Sequence, residues 1–201
     1  DRLCRLLHAI NFFRQATAGN LDLYLSVHNR LLTAVAGNHG AAFQRVLAKL
    51  DIPQQRIILQ LPAIVPSQRW AITHVADNYR RNGFRLALHA QNIEQAFDLL
   101  ERVQPDVLKL TFEQSLGDKN AWLFEDLLRQ AARQSCLIVL RKVDQLPAFE
   151  KLRAFADHRL AFAMQGNAID IARSHLINPE GTSSKRHQQT DSNTPPRQAC
   201  C

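Results

Sequence analysis

The sequence predicts an α/β fold, an incomplete (β/α)8 barrel of the TIM type rather than an open doubly wound sheet. Three observations predict it. Short strands that are apolar throughout, such as Ile57-Ile58-Leu59 and Leu137-Ile138-Val139-Leu140, alternate with stretches of helical period. Strands that are apolar on both faces belong to a parallel sheet covered by helices. About six such βα units follow one another, too regular a cadence for a small two-layer fold. No G-x-G-x-x-G turn follows any strand, which removes the main support for a dinucleotide-binding sheet.

The elements follow in order. Residues 2–16 have a helical period, with Leu3, Leu6, Leu7, Ile10 and Phe13 on one face. Leu21 to Val27 reads as a strand entered after Gly19-Asn20. A helix over 39–50 carries Phe43, Val46, Leu47 and Leu50 as its apolar stripe, and the strand Arg56 to Leu61 is stopped by Pro62. Residues 67–82 are helical and end at Asn82-Gly83, as a C-terminal cap would. Arg85 to His89 is a strand and 93–103 a helix. Val107 to Thr111 is a strand, and 119–134 a helix with Trp122, Leu123, Leu127 and Leu128. Leu137 to Leu140 is a strand, and 145–156 a helix with Leu146, Phe149, Leu152 and Phe155. Leu160 to Met164 is the last strand, followed by a short helix near 168–176. Residues 1–177 form the domain; the remainder, 178–201, is rich in Ser, Thr, Gln, Asn, Pro and charge and reads as a disordered tail.

A chain of 201 residues with 46% hydrophobic residues can bury a core and fits one domain better than two. Its apolar runs are too short to span a bilayer, and it carries no basic-apolar-small secretion pattern. It opens at Asp1 inside a helix-like segment, as a piece of a longer protein would. Cys4 and Cys136 lie in apolar surroundings and read as small hydrophobes, while the adjacent Cys200 and Cys201 lack zinc or disulfide spacing. A reduced, cytoplasmic protein is expected. The net charge of +7 and pI near 9.7 favour anionic partners. Basic pairs such as Arg80-Arg81 and Lys185-Arg186 nevertheless read as solvated faces, because no aromatic residues interleave with them. An RNA-associated regulator therefore ranks last among the readings.

The most informative segment is Pro105-Asp106-Val107-Leu108-Lys109-Leu110-Thr111, a lysine inside an apolar strand. An ammonium there must reach the strand mouth or lose its charge, because burying it unpaired is costly. The neighbouring strand ends carry few of the carboxylates that such a lysine would be partnered with.

In strand order the chain resembles the EAL domain, the barrel of cyclic di-GMP phosphodiesterases, over roughly residues 1–175. Leu23 to Leu32 is similar to the family's V-N-L-S-x-R-Q-L strand, and Arg56 to Ala63 sits where the family has R-L-x-L-E-I-T-E. Gly83 to Ala90 resembles G-x-x-L-A-L-D-D, Pro105 to Thr111 resembles P-x-D-x-L-K-I-D, and Met164-Gln165-Gly166 resembles the late Q-G element. The resemblance implies two divalent metals held by oxygen ligands at these strand ends. Ser26, Gln60, His89, Ala90 and Thr111 stand at the implied ligand positions, and Arg141 stands at the glutamate of the A-E-G-V-E segment. The Glu-Ala-Leu signature is not in the chain; it would belong to one of about two strands before Asp1.

Hard divalent cations need several anionic oxygens, so no metal, no cofactor and no catalytic residue is expected. Lys109, Arg141 and Gln165 remain as ligand-binding candidates, with Lys109 a vestigial strand-mouth lysine. His89 reads as a structural histidine, His28 and His74 as surface residues, and Trp70 and Trp122 as packing residues. Ser26 lacks a G-x-S-x-G elbow. The expected function is a catalytically inactive EAL-like domain, acting as a regulatory or protein-interaction module in bacterial signalling related to cyclic di-GMP. The alternative is a receptor that binds cyclic di-GMP without hydrolysing it, through Lys109 and Arg141 with Arg85 or Gln165. Open sheet edges would also call for an upstream segment, a protein partner or self-association.

Overall fold

Helices and strands alternate along the chain because apolar runs of three to six residues are separated by amphipathic ones of ten to thirteen. A computed structural model describes residues 2–15, 18–28, 39–63, 69–111, 121–156 and 161–169. The strands are β1 (Leu23–Ser26), β2 (Ile57–Gln60), β3 (Arg85–Ala90), β4 (Val107–Thr111), β5 (Leu137–Arg141) and β6 (Ala163–Gln165). The helices are α1 (Arg2–Phe13), α2 (His39–Lys49), α3 (Arg69–Arg81), α4 (Ile93–Arg102), α5 (Ala121–Arg133) and α6 (Leu146–Ala156), and one 3-10 turn spans Gln54–Arg56. All six strands are parallel and lie in sequence order, giving the curled sheet of an incomplete (β/α)8 barrel. Among the described residues no helix is long and apolar enough to cross a membrane.

Side chains alternate across each strand, and the two faces do different work. On the convex face Leu59, Leu86, Leu88, Leu108 and Leu110 are at most 1% exposed and pack against the helices. Each such leucine contributes about 1.5–3 kcal/mol by leaving water. On the concave face Ile58, Ala87, Val107 and Val139 form a small second cluster with Ala163 against it. The residues above that cluster on the same face make the site described below.

Local chemistry sets the ends of the elements. Asn92 caps α4 by accepting the Gln95 N–H at 2.9 Å. Gly83, at φ +76°, closes α3 with bonds from its own N–H to Arg80 O and from Phe84 N–H to Tyr79 O. That is the cap expected from Asn82-Gly83. Behind it Phe43, Phe84 and Tyr79 stack and cross at 5.6 and 6.1 Å, which joins α2 and α3 to the entry of β3.

Several expectations are corrected. Helix α1 ends at Phe13 rather than 16, and its buried face is turned: Arg5 and Ala9 are buried while Leu3 and Leu7 are exposed. Val46 and Leu50 of the α2 stripe, and Leu146 at the start of α6, are likewise exposed, because each stripe is wider than the groove it fills. Trp122 is 65% exposed in the first turn of α5, whose buried stripe runs through Phe124, Leu127, Leu128 and Ala131. Cys4 is exposed, not a core residue, whereas Cys136 is buried and its thiol is pushed up to about 12, chiefly by burial. The last strand is Ala163–Gln165 rather than Leu160 to Met164, drawn along by its pairing of Arg141 with Gln165. Residues 167–169 form a turn; the rest of the expected helix near 168–176, the tail 178–201 and the Trp70 side chain lie outside the described residues.

Candidate functional site

The site is the mouth formed by the C-terminal ends of the strands, where the concave face turns from apolar to polar. Register fixes who meets whom. Ser26 lies beside Gln60 on neighbouring strands, His89 beside Lys109, and Thr111 beside Arg141, which in turn lies beside Gln165. Ser26, Gln60, His89, Thr111 and Arg141 line a cavity of about 380 Å³, with Val27, the Leu61–Ala63 segment, Ala90 and Gln91 completing its rim.

Lys109 lies beneath that cavity, 7% exposed. Its Nζ donates to Gln60 Oε1 at 2.8 Å and sits 4.3 Å from the centre of the Tyr24 ring. An amide dipole and an aromatic face thus stand where a carboxylate would be usual. Burial, followed by repulsion from Arg141, brings the Lys109 ammonium down to about 8. Lys109 therefore keeps its charge at neutral pH, but weakly. It satisfies the ammonium by packing under the mouth rather than by reaching into water.

Arg141 supplies the second cation, and its Nη1 lies 3.1 Å from Nδ1 of His89. A guanidinium can only donate, so Nδ1 must accept and the imidazole proton resides on Nε2. Protonating His89 would turn this contact into a clash of donors. Burial first, then Arg141 and Lys109, hold its pKa down at about 4. His89 is thus a neutral member of the mouth, more than the purely structural histidine expected from the sequence.

Gln165 is exposed and does not line the cavity, although its strand neighbour Arg141 does. Arg85 is corrected outright: it opens β3 at the opposite end of the sheet and pairs with Asp22 at 2.7 Å, so it cannot join Lys109 and Arg141. Tyr24 escaped the sequence reading. Its signal was available, because it lies two residues before Ser26 on one strand and so shares its face.

The donor set does not fit the divalent metals implied by the resemblance. Ser26 and Thr111 offer neutral oxygens, and the Oε1 of Gln60 is already engaged by Lys109. Arg141 brings a full positive charge into the same cavity, where Coulomb repulsion opposes a cation. Among the described residues no group of three or more His, Cys, Asp or Glu is placed to hold an ion.

Neither a family model nor a curated protein sequence matches the chain. Solved structures do. The Bacillus subtilis protein YkuI, which has an EAL domain and was solved with the substrate cyclic di-GMP and calcium, superposes with a TM-score of 0.66 over 88% of this chain and 44% of its own, at 14% identity. The fold is that of an EAL domain. The EAL domain of Xanthomonas citri FimX, in complex with cyclic di-GMP, matches at 0.56 over 77% of this chain and 63% of its own, with 15% identity. The MucR phosphodiesterase in complex with cyclic di-GMP matches at 0.54 over 81% of this chain and 76% of its own, with 12% identity. At such identities the EAL likeness is one of backbone architecture, and the chain spans under half of YkuI. The EAL expectation for the fold is thereby met. The chemistry at the mouth has to be argued from this chain's own side chains.

Proposed function

We propose that this chain is a non-catalytic EAL-fold module, a regulatory or protein-interaction domain in bacterial signalling related to cyclic di-GMP. One observation carries the reading: Arg141 lines the cavity at the strand ends, beside neutral Ser26, Gln60 and Thr111. Metal-assisted attack on a phosphodiester needs a cation held there to activate water and to balance developing charge. Lys109 cannot replace it, because its ammonium lies beneath the cavity and is held to Gln60. The reading takes residues 1–177 as the domain and 178–201 as a polar tail. A cytoplasmic setting agrees with the free thiols of Cys4 and Cys136. The binding of cyclic di-GMP by the similar structures supports the signalling context.

The metal-free character of the mouth is tested by following the His89 ring resonances as Mn²⁺ is added. They are expected to stay sharp at stoichiometric Mn²⁺, since a paramagnetic ion in the cavity would broaden them. Broadening at that level would sink the reading.

A second reading, a receptor that binds cyclic di-GMP without cleaving it, is favoured by the pairing of two cations, Lys109 and Arg141, at one mouth. Gln165, on the strand beside Arg141 but outside the cavity lining, would be a third contact only for a ligand that extends past the rim. A melting shift on adding cyclic di-GMP that is lost in Arg141→Gln supports it. The absence of any shift removes it and leaves the interaction module.

A further inference from the structure

The mouth holds two cations whose described partners are all neutral. Arg141 meets the Nδ1 of an uncharged imidazole, and Lys109 meets an amide oxygen and a phenol ring. Among the described residues, Asp144, just past β5, is engaged by the Asn167 N–H, while Asp22 and Asp106 lie at the opposite end of the sheet, held by Arg85 and by the Leu86 N–H. Charges withdrawn from water are normally paired, because the desolvation cost is otherwise uncompensated. Here the two nearest charges repel one another.

Other lining groups can donate as well. His89 carries its proton on Nε2, and Ser26 and Thr111 each contribute a hydroxyl. A cavity of about 380 Å³ with a guanidinium, a second cation under its floor, three neutral donors and no described carboxylate has the chemistry of an oxyanion receptor. Two positive charges favour two negative ones on a single small group.

We propose that this mouth binds a compact dianion of the phosphomonoester class, with Arg141 in direct contact and Lys109 supplying the second charge from below. The inference rests on the non-catalytic reading of the same mouth. It differs from the receptor reading in charge, since each phosphate of a cyclic dinucleotide is a diester with one negative charge.

The test is titration calorimetry near pH 7 at fixed ionic strength, using methyl phosphate as the dianionic probe, dimethyl phosphate as its monoanionic counterpart and chloride as the control. A phosphomonoester carries close to two charges there, its second pKa being about 6. Saturable heat is expected with methyl phosphate, with binding about tenfold or more weaker for dimethyl phosphate and for Arg141→Gln, as expected for losing a charge-assisted contact. Lys109→Met keeps the floor filled and should weaken binding while the protein stays folded. Arg153→Gln, on α6, should bind as the unaltered protein does. Equal binding of the two phosphates, undiminished binding in Arg141→Gln, or no heat beyond that of chloride overturns the proposal. Hydrolysis of cyclic di-GMP would instead overturn the non-catalytic reading, so the two failures are distinguishable.

Discussion

Replacing Arg141 with glutamate is expected to move the His89 imidazole upward from about 4 toward the ordinary range near 6.5, against the burial that remains the largest cause of its low value. Arg141 depresses His89 in two ways: it occupies Nδ1 as a donor, and it adds positive charge to a site already desolvated. A carboxylate at the same place would accept from a protonated ring and attract it, and an opposite charge nearby typically moves a pKa by about 1–3. Lys109 should rise from about 8 toward the usual lysine range for the same reason. Titration of the His89 ring protons by NMR reads the effect directly; a variant still titrating near 4 would mean that burial alone sets the value. The sign for stability follows. The folded pKa of His89 lies below its unfolded value, so its contribution is complete above about 6.5 and is lost as pH falls through the folded value near 4. The glutamate variant should lose part of that acid sensitivity at His89.

Gly166→Ala is expected to cost about 3 kcal/mol and so to lower the melting midpoint by roughly 6–12 °C. A methyl group at residue 166 would collide with the backbone nitrogen, carbon and oxygen of Val143, none of which can rotate away. That backbone also carries the bonds joining the exits of β5 and β6, from Val143 N–H to Gln165 O and from Ala168 N–H to Val143 O, each 3.1 Å. Displacing Val143 would disturb Arg141 two residues earlier, so the mouth should loosen together with the fold. Thermal denaturation measures the first effect, and the His89 resonance reports the second. A variant melting like the original protein would mean that the crossing is more yielding than its geometry indicates.

Much of the architecture was legible because it depends on patterns that are local and periodic. The β4 strand, Val107–Thr111, was read with its observed bounds, since an apolar run flanked by Pro105 and by polar residues has little alternative. The Gly83 cap was readable for a comparable reason. Burial was read less well. Leu3, Leu7 and Trp122 satisfy a helical stripe yet face outward, because which part of a stripe meets the sheet depends on the neighbouring element.

The same division holds at the site. Lys109 and Arg141 could be named from position, and period-two alternation puts Tyr24 on the face of Ser26. What sequence position could not supply is the pairing across strands: Gln60 as the acceptor for Lys109, and His89 as the acceptor for Arg141. Both pairs span about fifty residues, a separation bridged only by parallel register. Arg85 is a different case: as the first residue of a strand in a parallel sheet it belongs at the end away from the mouth, a signal that was present in its position.

On the proposed reading, this EAL-fold mouth, cationic where a metal would need carboxylates, does not cleave a cyclic dinucleotide. Incubating the protein with cyclic di-GMP and Mg²⁺ or Mn²⁺ and separating the products tests this most directly. No linear dinucleotide is expected above the protein-free control. Linear product above that control would contradict the reading, and its loss in Lys109→Ala would place the activity at this mouth.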